Sequence, residues 1–530
     1  MDYALYREII DAILQSDVPV DKRVVNRIKN KICGKYQRST IPSNADVLQA
    51  SIPEETDILI PILQKRPVRT VSGVAVVAVM TEPHACPHGK CAYCPGGPDL
   101  GVPQSYTGHE PATMRGIQNE FNPYRQVETR LDQLKTIGHS INKVELIVMG
   151  GDWCSKESNY REGFVKRCLD AMNRFTSPSL KQSMQKNETA EVRNVGLTFE
   201  TRPDWVNKDT IDDMLRMGAT RVELGVQTLS DEILERVERG HGVETTARAT
   251  QLLRDSGLKV CYHMMPGLPG STPENDVRDF KKLFSDPRFQ PDMLKIYPTI
   301  IVKNTKIYDW WKKGEYTPFE SDQIVDLVSK AVSQMPEYVR IQRMQRDIPL
   351  HQIEAGLDKG NLRELVHRDM NAKGLRNPTI RYREIGHFQM REPLDINSDE
   401  ITLIRREYDA AGGKEIFLSF EIPRLDIIFG FLRLRHPSKE AHRPEISEKP
   451  CVLIRELRVY GPVVNIGERD SHSWQHLGLG EKMIEAAQDI GRDEYDAERI
   501  LVNSGIGVKE YYRNLGFKDI GPYLVKNLLS

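Results

Sequence analysis

Cysteine is scarce in this chain, excess charge is absent, and no long apolar run occurs. Eight cysteines in 530 residues are too few for a disulfide scaffold. Formal net charge is −1, so the chain as a whole exerts no pull on nucleic acid, and any basic surface must be local. No apolar stretch reaches the length of a membrane span. The opening residues, MDYALYREIIDAIL, are acidic and amphipathic, unlike a signal peptide. These absences point to a cytoplasmic protein with no membrane partner. What is present is ordinary globular composition, 39 % hydrophobic and 28 % charged, in a chain long enough for two or more domains.

Three cysteines are clustered. Cys86, Cys91 and Cys94 have the spacing C-x4-C-x2-C and directly follow the apolar run VSGVAVVAVM, which reads as a buried strand. Three thiolates on one loop suit a soft metal centre. A nearby fourth cysteine would indicate structural zinc or an ordinary ferredoxin-type cluster, but the next is Cys154. Two readings stay open on spacing alone: zinc completed by His84 or His88, or a 4Fe-4S cluster with one iron left free for a ligand.

Residues 1–70 read as a small helical module. Its stretch from Lys22 to Arg38 carries Lys22, Arg23, Arg27, Lys29, Lys31, Lys35 and Arg38 with no acid, which is either a solvated helix face or a phosphate-binding surface. From 71 to 345, apolar runs such as KVELIVMGG, NVGLTFET, RVELGVQT and LKVCYHMMPG alternate with helical stretches that end at glycine. Repeated βα units of this length predict a full or partial (β/α) barrel, with a parallel sheet covered by helices and an active site at the C-terminal strand ends. The cysteine loop follows the first strand, where that rule places it. Gly150 and Gly151 close the second strand, where bare backbone can approach a ligand or simply turn. Glu200, Arg202, Glu223, Gln227 and His263 fall at or near strand ends, and Lys295 and Tyr297 alternate with apolar neighbours so as to point into the mouth. Residues 346–390 read as a connector.

From 391 to 530 the pattern changes to antiparallel strands (FLSFEIP, IIFGFLRLR, CVLIRELRVY), then a turn entering a helix, then strand and helix. The turn, Gln475-His476-Leu477-Gly478-Leu479-Gly480, has the form Q-x-x-G-x-G, and bare NH groups at a helix start bind phosphate. With Tyr511-Tyr512 in the last helix, the order resembles the GNAT acetyltransferase fold. In that fold the turn holds the pyrophosphate of coenzyme A, and a tyrosine sits near the thioester sulfur. Taken in isolation, such a tyrosine pair reads first as packing.

The combination of cysteine-cluster barrel and GNAT module resembles the Elongator catalytic-subunit family over nearly the whole chain. The matching segments include CAYCPGGPD, KVELIVMGGD, LTFETRPD, RVELGVQT, HMMPGLPG, LKIYPT, GNLREL, ELRVYG, QHLGLG and YYRNLGF. The resemblance implies a radical S-adenosylmethionine barrel joined to a GNAT-type α+β domain, with a small helical N-terminal module. It implies carboxymethylation of C5 of the tRNA wobble uridine, with acetyl-CoA as carbon source and a 5′-deoxyadenosyl radical as hydrogen acceptor. Under it, Cys86, Cys91 and Cys94 bind the 4Fe-4S cluster. Acetyl-CoA contacts fall on Lys143, on Glu456, Leu457, Arg458 and Val459, on Leu479, Gly480 and Glu481, and on Tyr512. Lys295 and Tyr297 lie near the radical chamber. Anticodon-loop bases are single-stranded and can be splayed out to expose C5. The Lys22–Arg38 run and Arg340, Arg343 and Arg346 are then tRNA phosphate contacts. An electron donor is a further required partner, and monomer and homodimer are equally compatible with the sequence.

There are departures. The first cysteine gap is one residue longer than the commonest radical-enzyme spacing, and Asp152-Trp153 follows the glycine pair where relatives often have threonine. The connector run NPTIRYREIG lacks the cysteines that suit a structural zinc in many relatives, which argues against zinc here. Two rivals remain: a protein lysine acetyltransferase with a vestigial barrel, which needs a base near the thioester, and a tRNA-binding scaffold with unused cofactors. The tRNA-modifying reading expects the two reaction centres to face a shared chamber; a coenzyme A cleft pointing away from the barrel mouth with no passage between them would sink it.

Overall fold

The computed structural model describes residues 3–16, 18–64, 70, 73–389, 397–460 and 478–529. Four helices, α1 (Tyr3–Leu14), α2 (Lys22–Lys35), α3 (Asn44–Gln49) and α4 (Pro53–Leu63), make a module with its own core. Leu5, Ile9 and Ile13 of α1 pack with Val25, Ile32, Leu48 and Leu59, the faces that helical spacing puts together. Asp21 caps α2 by accepting from the backbone NH of Arg23 and Val24.

Seven parallel strands follow: β1 (Ala75–Met80), β2 (Lys143–Met149), β3 (Arg193–Thr201), β4 (Arg221–Gln227), β5 (Lys259–Met264), β6 (Met293–Ile296) and β7 (Arg340–Arg343). They pair in sequence order and the two edge strands do not meet, so the barrel is partial. The strands are not apolar on both faces. Val144, Leu146 and Val148, Val222, Leu224 and Val226, and Val260, Tyr262 and Met264 are buried. The alternate positions, which line the sheet's other face, are Glu145, Thr198 and Glu200, Arg221 and Glu223, Lys259, Cys261 and His263, and Lys295. A run that looks uniformly β-rich is thus a period-two strand with a polar inner face. Trp153 explains one sequence departure: its ring stacks on Phe199 with centroids 4.6 Å apart.

The stretch read as a connector is folded against the barrel. Ile353–Ala355 pairs with Ile301–Val302, and the helix Leu362–Ala372 packs on the helix Ser321–Ser333.

The C-terminal sheet has strands β8 (Thr402–Ala410), β9 (Gly413–Ile422), β10 (Ile427–His436), β11 (Cys451–Val459), β12 (Arg499–Val502), β13 (Lys518–Ile520) and β14 (Tyr523–Asn527). All its pairings are antiparallel except β11 with β12. Helix α5 (Leu479–Tyr495) packs across β10 and β11. This sheet is welded to the barrel by buried charges. Asp292 takes Arg455 through both carboxylate oxygens at 2.7 and 2.9 Å and also meets Arg254 at 3.3 Å. Glu415 binds Arg455 at 2.7 Å and Arg254 and Arg435 at 3.0 Å, and Arg435 reaches Asp255 at 2.6 Å. A Cβ at Gly505 would collide with the Val195 carbonyl, so a bare backbone sets how closely the two sheets approach.

Candidate active site

One cavity, of about 150 Å³, lies at the C-terminal strand ends. The loop after β1 brings Cys86 to its wall, with Cys91 and Cys94 buried behind. Gln104 donates from Nε2 to Cys94 Sγ at 3.0 Å, and Arg239 Nη1 lies 3.6 Å from Cys91 Sγ. Burial pushes the Cys91 thiol up, but the His88 contact and the Arg239 charge outweigh it and bring it down to about 6. Cys86, dominated by burial, is pushed up to about 12.

Geometry separates the two metal readings. A single tetrahedral zinc holds its sulfurs about 3.8 Å apart, from Zn–S bonds of about 2.3 Å. Among the described residues, the three loop cysteines form no grouping within 4.8 Å, alone or with a histidine. His88 Nε2 is already engaged by Arg202 at 2.7 Å. A bulkier cluster spreads its thiolates further, and three thiols, two of them backed by N–H donors, fit it. Gly150 (φ +128°) stands where a Cβ would strike Thr81 Oγ1, and Gly151 lines the cavity. Asp152 lines it too. Its Oδ1 accepts from Thr201 at 2.6 Å, while its buried Oδ2 has no hydrogen-bond partner.

Below the thiols sits a charged group. Lys295 Nζ lies between Glu200, at 3.2 Å, and Glu223, which it contacts directly. Burial would lower the lysine, but Glu223 outweighs it and keeps the ammonium charged. Burial would likewise raise Glu223, yet Lys295, His263 and Arg221 hold it well below the usual carboxylate range. Glu223 accepts from His263 Nε2 at 2.8 Å, and Tyr297 stands edge-on to that imidazole.

A second cavity, of about 90 Å³, lies at the other end of the same strands. Strands β11 and β12 pair only as far as Ile454 and Val502 and then splay. The wedge is walled by Glu456, Leu457, Arg458, Asn503, Ser504 and Tyr512, and floored by Glu145, Gly196, Arg221 and Lys259 of the barrel. Lys259 is brought down to about 8 by burial. Burial raises Tyr512, leaving a neutral phenol at neutral pH. Helix α5 starts at Leu479 directly after Gly478, whose φ is +67°. The expectation of one chamber at the barrel mouth is therefore corrected: the wedge opens on the N-terminal strand ends.

Models of the Radical SAM superfamily match residues 83–283, of the Radical_SAM C-terminal domain 291–372, and of the ELP3 N-terminal domain 3–71. The chain is 49 % identical over 538 residues to the tRNA uridine(34) acetyltransferase of Methanocaldococcus infernus, covering 100 % of both. It is 42 % identical to Elongator complex protein 3 of Dictyostelium discoideum, over 98 % of this chain and 94 % of that one. The chain belongs to the Elongator complex protein 3 family. A solved structure of the archaeal Methanocaldococcus infernus Elp3 with an N-terminal deletion superposes with a TM-score of 0.77 at 45 % identity, covering 86 % of this chain and 99 % of that one. The radical SAM domain of this family member implies a 4Fe-4S cluster and S-adenosylmethionine.

Within that frame, Cys86, Gly151 and Tyr297 line the upper cavity, with Arg343 and Arg346 at its rim, where Arg346 donates to the Ser105 carbonyl at 2.6 Å. Glu456, Leu457, Arg458 and Tyr512 line the wedge. Val459 ends β11, and Gly480 and Glu481 lie in the first turn of α5. Lys143 is the first residue of β2, half-buried and on the inner face, two residues from Glu145. Gln475 lies outside the described residues. Two expected phosphate contacts are turned inward instead. Lys29 is buried and donates to the Pro42 carbonyl and Asn44, and Arg340 is buried against Glu384 and the Tyr460 hydroxyl, each at 2.6 Å. Lys22, Arg23, Arg27, Lys31, Lys35 and Arg38 stay exposed, with Lys35 paired to Glu8 at 2.7 Å. Sequence reasoning missed Gln104, Arg239, Glu145, Arg221 and Lys259. For the last three, the signal was the polar residue at every second strand position.

Proposed function

We propose that this chain modifies the wobble uridine of tRNA at C5, using acetyl-CoA as the source of a carboxymethyl group. One observation carries this reading: the parallel sheet has a thiol-backed cavity at one end and, at the other, the wedge between β11 and β12 of a C-terminal sheet whose order of elements resembles the GNAT fold. Cys86, Cys91 and Cys94 would hold the cluster, which with S-adenosylmethionine supplies a 5′-deoxyadenosyl radical on reduction. Gly150 and Gly151 let a ligand approach the backbone, and the free Oδ2 of Asp152 is an acceptor for its ammonium. Lys295, Tyr297 and His263 would move protons at the uracil, with Glu223 fixing His263 and Lys295.

In the wedge, the Glu456–Val459 segment of β11, beyond its last pairing with β12 at Ile454, would bind the pantetheine arm, Lys143 would contact it from the barrel side, and the turn Gly478–Glu481 at the start of α5 would take the pyrophosphate. Tyr512, being neutral, can donate a proton to the departing thiolate. The exposed lysines and arginines of α2 and the rim pair Arg343 and Arg346 would meet tRNA phosphates.

The rival reading, lysine acetylation of a protein, needs a free base at the thioester. Burial raises Glu456, but Arg433, which donates to it at 2.9 Å, holds it low, which makes it a poor one. Nucleoside mass spectrometry after a complete anaerobic reaction tests the proposal. Carboxymethyluridine and 5′-deoxyadenosine form with the native chain and not with Cys91→Ser. Full modification by Cys91→Ser, or acetylated protein without tRNA dependence, overturns it.

A further inference from the structure

The two cavities lie at opposite ends of the same strands, and on β4 their linings meet at successive inner-face positions. Glu223 lines the upper cavity, and Arg221, two residues earlier on the same face of β4, lines the lower. Arg221 contacts Glu145 directly and reaches Glu223 at 3.4 Å, while Glu145 meets Arg458 of the C-terminal module at 3.5 Å. Charges therefore run unbroken from Glu200 through Lys295, Glu223, Arg221 and Glu145 to Arg458. Barrel interiors are ordinarily filled by branched apolar side chains, and each buried ion costs several kcal/mol before pairing. Nothing about folding calls for charge here.

The row is also incompletely bonded. Arg221 Nε, Glu223 Oε1 and Thr198 Oγ1 are buried without hydrogen-bond partners, and Thr198 sits beside Arg221 in register. Opposite Glu145 the register places Gly196, which leaves the inner face of β3 bare at that level.

We propose that this row is a gate in an axial acyl passage. Arg221 swings away from Glu145, and the acetyl end of the thioester moves from the wedge toward the upper cavity. Its carbonyl oxygen accepts from the unpaired Arg221 Nε and Thr198 hydroxyl. The inference rests on the acetyl-CoA reading above and adds the route and the residues that control it.

Cys261 reports on the passage. It faces Glu223 in register, and its Sγ lies within 4.8 Å of the Glu223 and His263 ligand atoms. In cluster-free protein, iodoacetamide labelling of Cys261, read peptide by peptide, rises about tenfold in Arg221→Ala, as expected when an open state of roughly a tenth becomes dominant. Acetyl-CoA suppresses that labelling. Glu145→Gln, which weakens the latch but keeps its shape, gives a smaller rise and covers the case in which Arg221→Ala fails to fold. Labelling that stays at the native rate in the folded variants, or that acetyl-CoA does not suppress, overturns the gate. A separate arm uses trideuteroacetyl-CoA with S-adenosylmethionine and reductant. Deuterium enters 5′-deoxyadenosine in the native chain with tRNA, whose binding opens the gate, and in Glu145→Gln, which keeps the Arg221 donor, without tRNA as well. No deuterium transfer in the native chain with tRNA defeats the underlying reading. Transfer there, with native-like behaviour of both variants, defeats the gate alone.

Discussion

Two sets of buried charges lie a few residues apart in this molecule, and they are built differently. In the weld between the sheets, every carboxylate oxygen of Asp292 and Glu415 has an arginine within hydrogen-bonding reach, and Asp292 also accepts from the Val260 backbone at 2.9 Å. Arginine nitrogens are left without hydrogen bonds in both sets, Arg254 Nε and Nη1 and Arg433 Nη1 in the weld and Arg221 Nε in the axial column, but in the column a carboxylate oxygen, Glu223 Oε1, and the Thr198 hydroxyl are unbonded as well, and the column lies between two cavities. Carboxylates matched at both oxygens hold a structure in place. Charge with spare valence next to empty space is a site waiting for something to bind or move.

The sharpest break of this comparison is Asp292→Ala, which strands three arginines at once. A loss of about 3–5 kcal/mol is expected in urea unfolding, as for any broken buried pair. Glu223→Gln should instead lose carboxymethyluridine formation by about a hundredfold or more while unfolding costs less than for Asp292→Ala. Equal destabilisation by the two would erase the distinction. Acid sharpens it further. Burial raises Glu145, but Arg221 and Arg458 outweigh that and hold it near 2 in the folded chain, against 4.5 for the free group. The stability it contributes is present above pH 4.5 and lost as pH falls toward 2. The urea midpoint should decline across that window, and Glu145→Gln should flatten the decline. Tyr512→Phe removes one hydroxyl from the wedge, so product formation should drop about tenfold with unfolding changed by less than about 1 kcal/mol. Smallest is the contrast in the basic helix. Lys29→Met should shift the melting of the N-terminal module, whereas Lys22→Ala with Arg23→Ala should leave melting unchanged and flatten the salt dependence of tRNA binding, measured by filter retention, by a slope of about 1–2.

Much of this architecture could be read from the chain before any coordinates. The thiol loop after the first strand, the glycine pair after the second and the strand–turn–helix of the C-terminal module are local patterns, and local patterns survive in sequence. What could not be read was pairing over distance. Lys29 and Arg340 look like any basic residue until folding brings Asn44 and Glu384 against them. The axial row was hidden for another reason: Val, Leu and Ile at alternate positions make a strand look apolar throughout, and the polar residues between them look incidental. The placement of the wedge depended on how two sheets dock, which glycine at 505 and a set of arginines decide, and neither has a periodic signature.

The weld bears on how the molecule can be dissected. Of the charges that meet there, the barrel contributes Arg254, Asp255 and Asp292, and the C-terminal module contributes Glu415, Arg433, Arg435 and Arg455. Cut apart, the first half would show surplus acid and the second surplus arginine. A fragment carrying only the second half would cling to any polyanion through a face that the intact protein keeps sealed, and its affinity for RNA would describe the scissors rather than the enzyme.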